Sequence, residues 1–268
     1  LNPHSARHSS APLAGTTVIL TRPVGGAASL HKEVQIRGGD AVNLPGLSLR
    51  LPSDPQGAAR SLFAEAEAEV GAGWIFASPA AVRFAFRLVP ALRVSGHASA
   101  FGVGIGTQRA LARHGIRAIV PDDRSDSEGL LVLPELADVR GQRFALIGAP
   151  GGRDLIAPTL RERGAQVESI HVYERRPPRL TRHHFDALAG AADPLITLIS
   201  SGEALANLVA LLPPPLLARL RHQLLVVSSV RLEALAHEHG FEDVLVAVSA
   251  APDDLLDAAG RALARHRL

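Results

Sequence analysis

Short apolar runs recur along the chain, and the spacing between them leaves room for one helix each time. TTVIL (16–20), DAVNL (40–44), GWIFA (73–77), SAFGVG (99–104), RAIVP (117–121), QRFALIG (142–148), AQVESIHVY (165–173), LITLI (195–199), QLLVV (223–227) and DVLVAV (243–248) read as strands. They are rich in β-branched and aromatic residues, and the intervening segments carry apolar positions at helical spacing. Strands alternating with helices predict a parallel α/β fold, and this set is about twice a five-stranded sheet.

The two halves of the chain also rhyme. Residues 17–42 resemble 144–169, each a strand, a small-residue turn, a helix, a glycine and a second strand. Residues 74–90 resemble 197–213, a strand ending in a hydroxyl, then a helix, then proline, and 101–120 resemble 226–246. Offsets of about 125 residues are those of a duplicated unit. Two extended stretches rich in Pro and Gly, 43–55 and 171–180, sit where a chain would cross between lobes. Two crossings make one lobe discontinuous: residues 1–45 with 175–268 form lobe 1, and 46–174, including the connector segments, form lobe 2. Residues 1–14 read as a disordered polar tail. A cleft between two similar parallel-sheet lobes follows from this layout.

Composition narrows the chemistry. Of 268 residues, 47% are hydrophobic and 20% charged, which suits a compact fold and excludes fibrous and mucin-like classes. No apolar run reaches the ~18 to 20 residues that span a bilayer, and the opening LNPHSARHSSAPLAG has no apolar core of a signal peptide, so a cytoplasmic protein without a membrane partner is expected. With no cysteine, thiolate metal sites, iron–sulfur clusters and Cys nucleophiles are excluded. The 12 histidines form no metal spacing, since His183 and His184 are adjacent and His237 and His239 fall on different helix faces. Lys32 is the sole lysine among 28 basic residues, and the arginines are scattered among 26 acids with only 4% aromatics, which disfavours nucleic acid. Arginine binds carboxylate or phosphate bidentately, so a small polyanion fits better.

In open α/β sheets, ligands bind beyond the carboxyl ends of the strands, where helix N-termini present N–H groups. Those positions are rich in hydroxyls: Thr21, Ser78, Thr107, Ser200, Ser201, Ser228 and Ser229. Each alone reads as an N-cap, and Ser78-Pro79 has proline at the favoured first helical position. As a set repeated in both halves they suit a carboxylate-bearing or phosphate-bearing ligand. SDSEGLL (125–131) has the form of a capping box from Ser125 to Glu128. Tyr173, the sole tyrosine, lies in a crossing segment, where its phenol could project between lobes as a protonated donor or simply pack in a linker. FGVGIGT (101–107) followed by Asp122 mimics a dinucleotide fingerprint, but its third glycine is misplaced.

The ordered set TRP (21–23), FASPAAV (76–82), GVGIGTQRAL (102–111), SEGLL (127–131), LIGAPGGRDLIAPTLRERGAQV (146–167), VYERRP (172–177), LISSGEALANL (198–208) and VSSVRLEALAHEHGF (227–241) resembles the uroporphyrinogen-III synthase family from about residue 16 onward. The resemblance implies two α/β lobes joined by a two-stranded connector, a monomer, and no metal or organic cofactor. It implies hydroxymethylbilane as substrate, its acetate and propionate carboxylates held largely by backbone amides and hydroxyls in the cleft. Carried over by position, Ser78, Thr107, Ser127, Ser200, Ser201 and Ser229 become substrate-side residues, Arg22 and Arg153 carboxylate partners, and Tyr173 the catalytic tyrosine. Where the family often has Thr-Ser after this strand, this chain has Ala77-Ser78.

The implied chemistry begins with departure of the ring A hydroxyl, aided by Tyr173 or a bound water, which leaves an azafulvene cation. Ring D attacks through its substituted carbon, and a spiro intermediate fragments and recloses as the type III isomer. The bilane alone closes to type I, so the protein's main task is to position the reacting carbon. A two-lobed binding protein for a small polyanion would use the same hydroxyl-rich edges without a reaction, and a nucleotide-dependent enzyme would bind at GVGIGT.

Overall fold

The computed structural model describes residues 11–67, 73–94, 98–122, 124, 126–151 and 155–266. The chain opens with β1 (Thr17–Leu20), α1 (Ala28–Ile36), β2 (Asp40–Asn43) and β3 (Ser48–Arg50). It continues through α2 (Pro55–Glu67), β4 (Gly73–Phe76), α3 (Pro79–Leu88), β5 (Ser99–Gly102), α4 (Ile105–Ala112), β6 (Ala118–Ile119) and α5 (Ser127–Leu131). Next come β7 (Arg143–Gly148), α6 (Ile156–Glu162), β8 (Gln166–His171) and β9 (Glu174–Arg176). The last stretch holds α7 (Arg182–Ala189), β10 (Leu195–Ile199), α8 (Gly202–Leu211), α9 (Pro214–Arg221), β11 (Leu224–Val227), α10 (Val230–Glu238), β12 (Val244–Val246) and α11 (Pro252–His266).

Contacts group these elements into two units. Unit 1 joins the residues up to Ser48 with those from Arg176 onward, and unit 2 is Leu49–Arg175. The chain passes between units inside β3 and β9, which pair as a two-stranded sheet. Neither strand is among the ten read from apolar runs, because Ser48–Arg50 and Glu174–Arg176 are too short and polar to carry a periodic signal.

Unit 2 holds a five-stranded sheet in the order β6-β5-β4-β7-β8, parallel throughout. Parallel strands are covered on both faces, so the central β4 is buried at every position. Trp74 and Phe76 point into a cluster with Val82, Phe84 and Ala85 of α3 and Leu111 of α4, while Ile75 points into a second cluster with Leu130 of α5 and Leu160 of α6. Each fully buried large apolar side chain contributes roughly 1.5–3 kcal/mol relative to exposure. Glu65, buried on α2, hydrogen-bonds Arg143 at the start of β7, and that bond and its charge hold the guanidinium above its ordinary pKa.

Unit 1 holds a second parallel sheet, β12-β11-β10-β1-β2. One face is covered by α1 and α11 through Leu30, Val34, Leu255 and Leu256, and the other by α8, α9 and α10 through Leu205, Leu217 and Leu232. With β10, β11, β12, β1 and β2 matched to β4, β5, β6, β7 and β8, the two sheet orders coincide. The sequence repeats pair the same segments, so unit 1 is unit 2 with its chain cut before β1 instead of before β4.

Three expectations change. Residues 11–14 are not part of a disordered tail: Leu13 is fully buried in the unit 1 core and its N–H donates to the Arg37 carbonyl at 3.0 Å. The strand expected to reach residue 173 ends at His171, which releases Tyr173 from the sheet. The N-cap of α5 is Asp126, whose Oδ1 accepts from the Gly129 N–H at 2.8 Å, while the expected Ser125 lies outside the described residues. Among the described residues no helix is long and apolar enough to cross a membrane, and no cluster of three His, Asp or Glu side chains could hold a metal ion.

Gly46 fixes the loop after β2 against α8. A Cβ there would lie 2.6 Å from Ala204 Cβ and 2.9 Å from its Cα, and the Gly46 carbonyl accepts from Asn207 Nδ2 at 2.9 Å. Gly46→Ala meets helix backbone that cannot yield cheaply, so we expect a loss of about 1–3 kcal/mol, read as a lower urea midpoint at unchanged slope.

Candidate active site

Each sheet has a topological switch point, where consecutive crossovers leave in opposite directions: between β4 and β7 in unit 2, and between β1 and β10 in unit 1. In open parallel sheets the carboxyl ends of the strands at such a point are the standard ligand position.

In unit 2, Ala77 continues the pairing across the switch point by donating its N–H to the Ile147 carbonyl at 3.0 Å. A Cβ on Gly148 would touch Ala77 Cβ at 3.4 Å, so this small pair brings the two strand ends close. Ser78 then turns fully extended (φ −169°, ψ 164°) and caps α3, its Oγ accepting from the Ala81 N–H at 3.0 Å. Pro79 at the first helical position gives up no hydrogen bond there. The same Oγ lies 3.2 Å from Tyr173 Oη. Tyr173 does not project from a linker. It is 7% exposed, and its ring stacks on Phe84 of α3 with centroids 5.3 Å apart and planes at 23°. The buried ring and the cap thus grip one helix from two sides.

Thr107 also lies within the edge, but it is 2% exposed and packs its methyl against Gly102. The N-terminus of α4 has no side-chain cap at Gly104, so backbone amides, not the Thr107 hydroxyl, are its polar offering. Ser127 is half-buried at the first position of α5, beside Asp126, which Arg124 pairs at 2.6 Å. That hydrogen bond and charge raise the Arg124 pKa. Arg153 lies outside the described residues. Arg175, not singled out by sequence, donates to the Pro150 carbonyl at 2.9 Å and ties β9 to the loop after β7.

In unit 1, Thr21 Oγ1 donates to the Leu198 carbonyl at 2.6 Å and links β1 to β10 across the switch point. Arg22 follows, half-buried, donating to the Ala250 carbonyl at 2.8 Å. Burial lowers its pKa, and among the described residues it forms no ion pair. Ser201 caps α8 by accepting from the Ala204 N–H, and Ser229 caps α10 by accepting from the Leu232 N–H, both at 3.4 Å. At that length both bonds are weak, and the helix amides keep capacity for an incoming anion. Ser200 is half-buried between β10 and its helix.

The structure therefore joins Ser78 to Tyr173, sets Arg22 beside the unit 1 switch point, and keeps Ser201 and Ser229 as caps. It withdraws the Thr107 hydroxyl from the surface. Phe84 and Asp126 escaped sequence reasoning: Phe84 looks like any core aromatic until Tyr173 is placed on it, and Asp126 is one of several acids around Ser125.

A family model described as uroporphyrinogen-III synthase HemD matches residues 28–257. The uroporphyrinogen-III synthases of Escherichia coli K12 and Salmonella typhimurium LT2 are 38% and 39% identical over 163 and 164 residues, in each case 58% of this chain and 64% of the relative. The matched region thus spans less than two thirds of either relative. Among solved structures, a mutant uroporphyrinogen III synthase from the extremely thermophilic bacterium Thermus thermophilus is similar with a TM-score of 0.56 at 19% identity, covering 93% of this chain and 99% of that one. A Helicobacter pylori 26695 uroporphyrinogen-III synthetase gives 0.58 at 14% identity, covering 91% and 98%. At such identities the likeness shows the fold alone.

The shared contact between Ser78 and Tyr173 predicts energetic coupling. Ser78→Ala should cost about 0.5–2 kcal/mol through the lost cap. In a double-mutant cycle with Tyr173→Phe, the two losses should fall short of additivity by about 0.5–1.5 kcal/mol, measured by denaturant unfolding.

Proposed function

The chain belongs to the uroporphyrinogen-III synthase family, and from that premise we propose that it closes linear hydroxymethylbilane into uroporphyrinogen III, inverting ring D and releasing water, as a step of tetrapyrrole (haem) biosynthesis. The observation that carries this reading is the pair of Tyr173 and Ser78 at the unit 2 switch point, 3.2 Å apart at their hydroxyls. A buried phenol near the carboxyl edge of the sheet, oriented by a helix cap, is suited to hand a proton to a departing hydroxyl.

The Ser78 Oγ already accepts the Ala81 N–H. Its own proton can therefore go to Tyr173 Oη, which leaves the phenolic proton for the ring A hydroxyl, and the chain of donors strengthens each link. The C–O bond breaks, water leaves, and an azafulvene cation remains. Ring D attacks through its substituted carbon, the spiro intermediate fragments and recloses, and a proton lost from ring D restores its aromaticity. In this reading the candidate carboxylate-binding groups are Ser78, Ser127 and the α4 amides in unit 2, and Arg22, Ser200, Ser201 and Ser229 in unit 1. Arg22 suits the role because its partly desolvated charge lacks an anionic partner among the described residues. Holding the bilane folded supplies the larger share of the catalysis, since the reactive ends otherwise meet in the type I orientation.

The direct test is to supply freshly generated hydroxymethylbilane with and without the protein, oxidise the products to porphyrins and separate the isomers by chromatography. We expect predominantly type III with the protein. Type I alone from folded protein overturns the reading in favour of a polyanion-binding protein. Tyr173→Phe should lower turnover roughly 10²-fold with type III still the product; an unchanged rate removes Tyr173 from the mechanism.

A further inference from the structure

The net charge of +2 conceals a strong segregation. From Val70 to Pro121 there is no aspartate or glutamate, and this stretch carries six arginines: Arg83, Arg87, Arg93, Arg109, Arg113 and Arg117. The next 17 residues, 122–138, carry six acids against Arg124 alone. The impression of arginines scattered among acids holds for the whole chain and fails for residues 70–138.

The fold turns this linear segregation into a spatial one. α3 and α4 follow the neighbouring strands β4 and β5, registered with Phe76 opposite Gly102, and both bury residues in the same cluster on one face of the sheet. Arg83 and Arg109 are each the fifth residue of their helix, and Arg87 and Arg113 stand one turn beyond them. The Phe86 ring stacks on His114 with centroids 3.6 Å apart, holding the far ends of the two helices together. The four arginines form two rungs on the outer surface of this helix pair. All six arginines are exposed, and none makes an ion pair among the described residues. The leucines of the acidic segment, Leu130, Leu131 and Leu136, pack on the opposite face of the sheet, and its acids Asp126 and Glu128, which flank Ser127 at the start of α5, are paired by Arg124. Stabilisation of helix C-termini accounts for Arg87 and Arg109, which lie in last turns, and does not account for the exclusion of acids from all 52 positions.

These are the two helices whose N-termini form the unit 2 part of the site. At 1.5 Å per residue, the first rung lies about 6 Å along the helix from its first residue and the second about 12 Å. The Debye length at physiological salt is about 8 Å, so the first rung acts on the site edge and the second is largely screened from it. We propose that Arg83 and Arg109, backed by the rest of the acid-free stretch, form an electrostatic funnel that draws a polycarboxylate substrate to the α3 and α4 N-termini without touching it at the reacting centre. This rests on the functional reading above, in which the substrate bears acetate and propionate carboxylates.

The test is the salt dependence of kcat/KM for type III formation from hydroxymethylbilane, with the wild type, Arg83→Gln/Arg109→Gln and Arg87→Gln/Arg113→Gln. At physiological salt the first-rung variant should lose roughly 3- to 10-fold in kcat/KM, at the low end of steering effects. The second-rung variant should lose less, and kcat should be unchanged in both. At about 1 M salt, where the Debye length is about 3 Å, all three should converge. Equal kcat/KM at every salt concentration, equal losses at both rungs, or a loss that persists at 1 M salt each overturns the funnel. If the wild type yields type III and its kcat/KM ignores salt, only the funnel fails; if folded wild type yields type I alone, the functional reading fails and takes the funnel with it.

Discussion

Within each five-stranded sheet every strand pairing is parallel, and the remaining features follow from that constraint. Parallel strands need a crossover after each strand, so a helix begins at nearly every carboxyl end. Its unpaired N–H groups collect on one edge of the sheet, and the hydroxyls that cap them collect there too. Ser78, Ser201 and Ser229 share an edge position because they share this structural duty. In the proposed reading, anion recognition is a by-product of folding: the groups that begin the helices are the groups that would meet the ligand.

The relation between the units shows how little the sheet depends on where the chain is cut. Unit 2 is wound from β4 to β8 without interruption, whereas unit 1 begins at the counterpart of β7 and takes up its remaining strands after unit 2 has been traversed. Thr17 must pair with Leu195, and Thr21 Oγ1 with the Leu198 carbonyl, across about 177 positions of sequence. The loop-closure entropy of that pairing grows only with the logarithm of the separation, so a long insertion is thermodynamically tolerable.

Around α3, structure and the proposed chemistry share the same atoms. The helix is capped by Ser78, stacked upon by Tyr173 through Phe84, and lined outside by Arg83 and Arg87. Tyr173 is held in place by burial of its ring, so in the proposed reaction its hydroxyl would be positioned without ordering a mobile side chain. Arg83 also lies over the Phe84 ring at 5.3 Å, which links the charged surface to the aromatic stack.

Local signals in the sequence determined the ten sheet strands, the helices between them and the edge hydroxyls, because periodicity, Ser-Pro capping and glycine turns act over a few residues. The internal repeat extended this to a duplicated fold with a discontinuous unit. Only the tertiary structure decided which of those groups meet. Ser78 and Tyr173 are 95 positions apart and touch because β8 pairs with β7 and β7 with β4. Thr107 turned inward because Gly102 leaves room beneath it, and Leu13 left the expected tail for the core. Strand order and burial are collective properties, set by which apolar faces cover one another across the whole chain, and no window of sequence contains them.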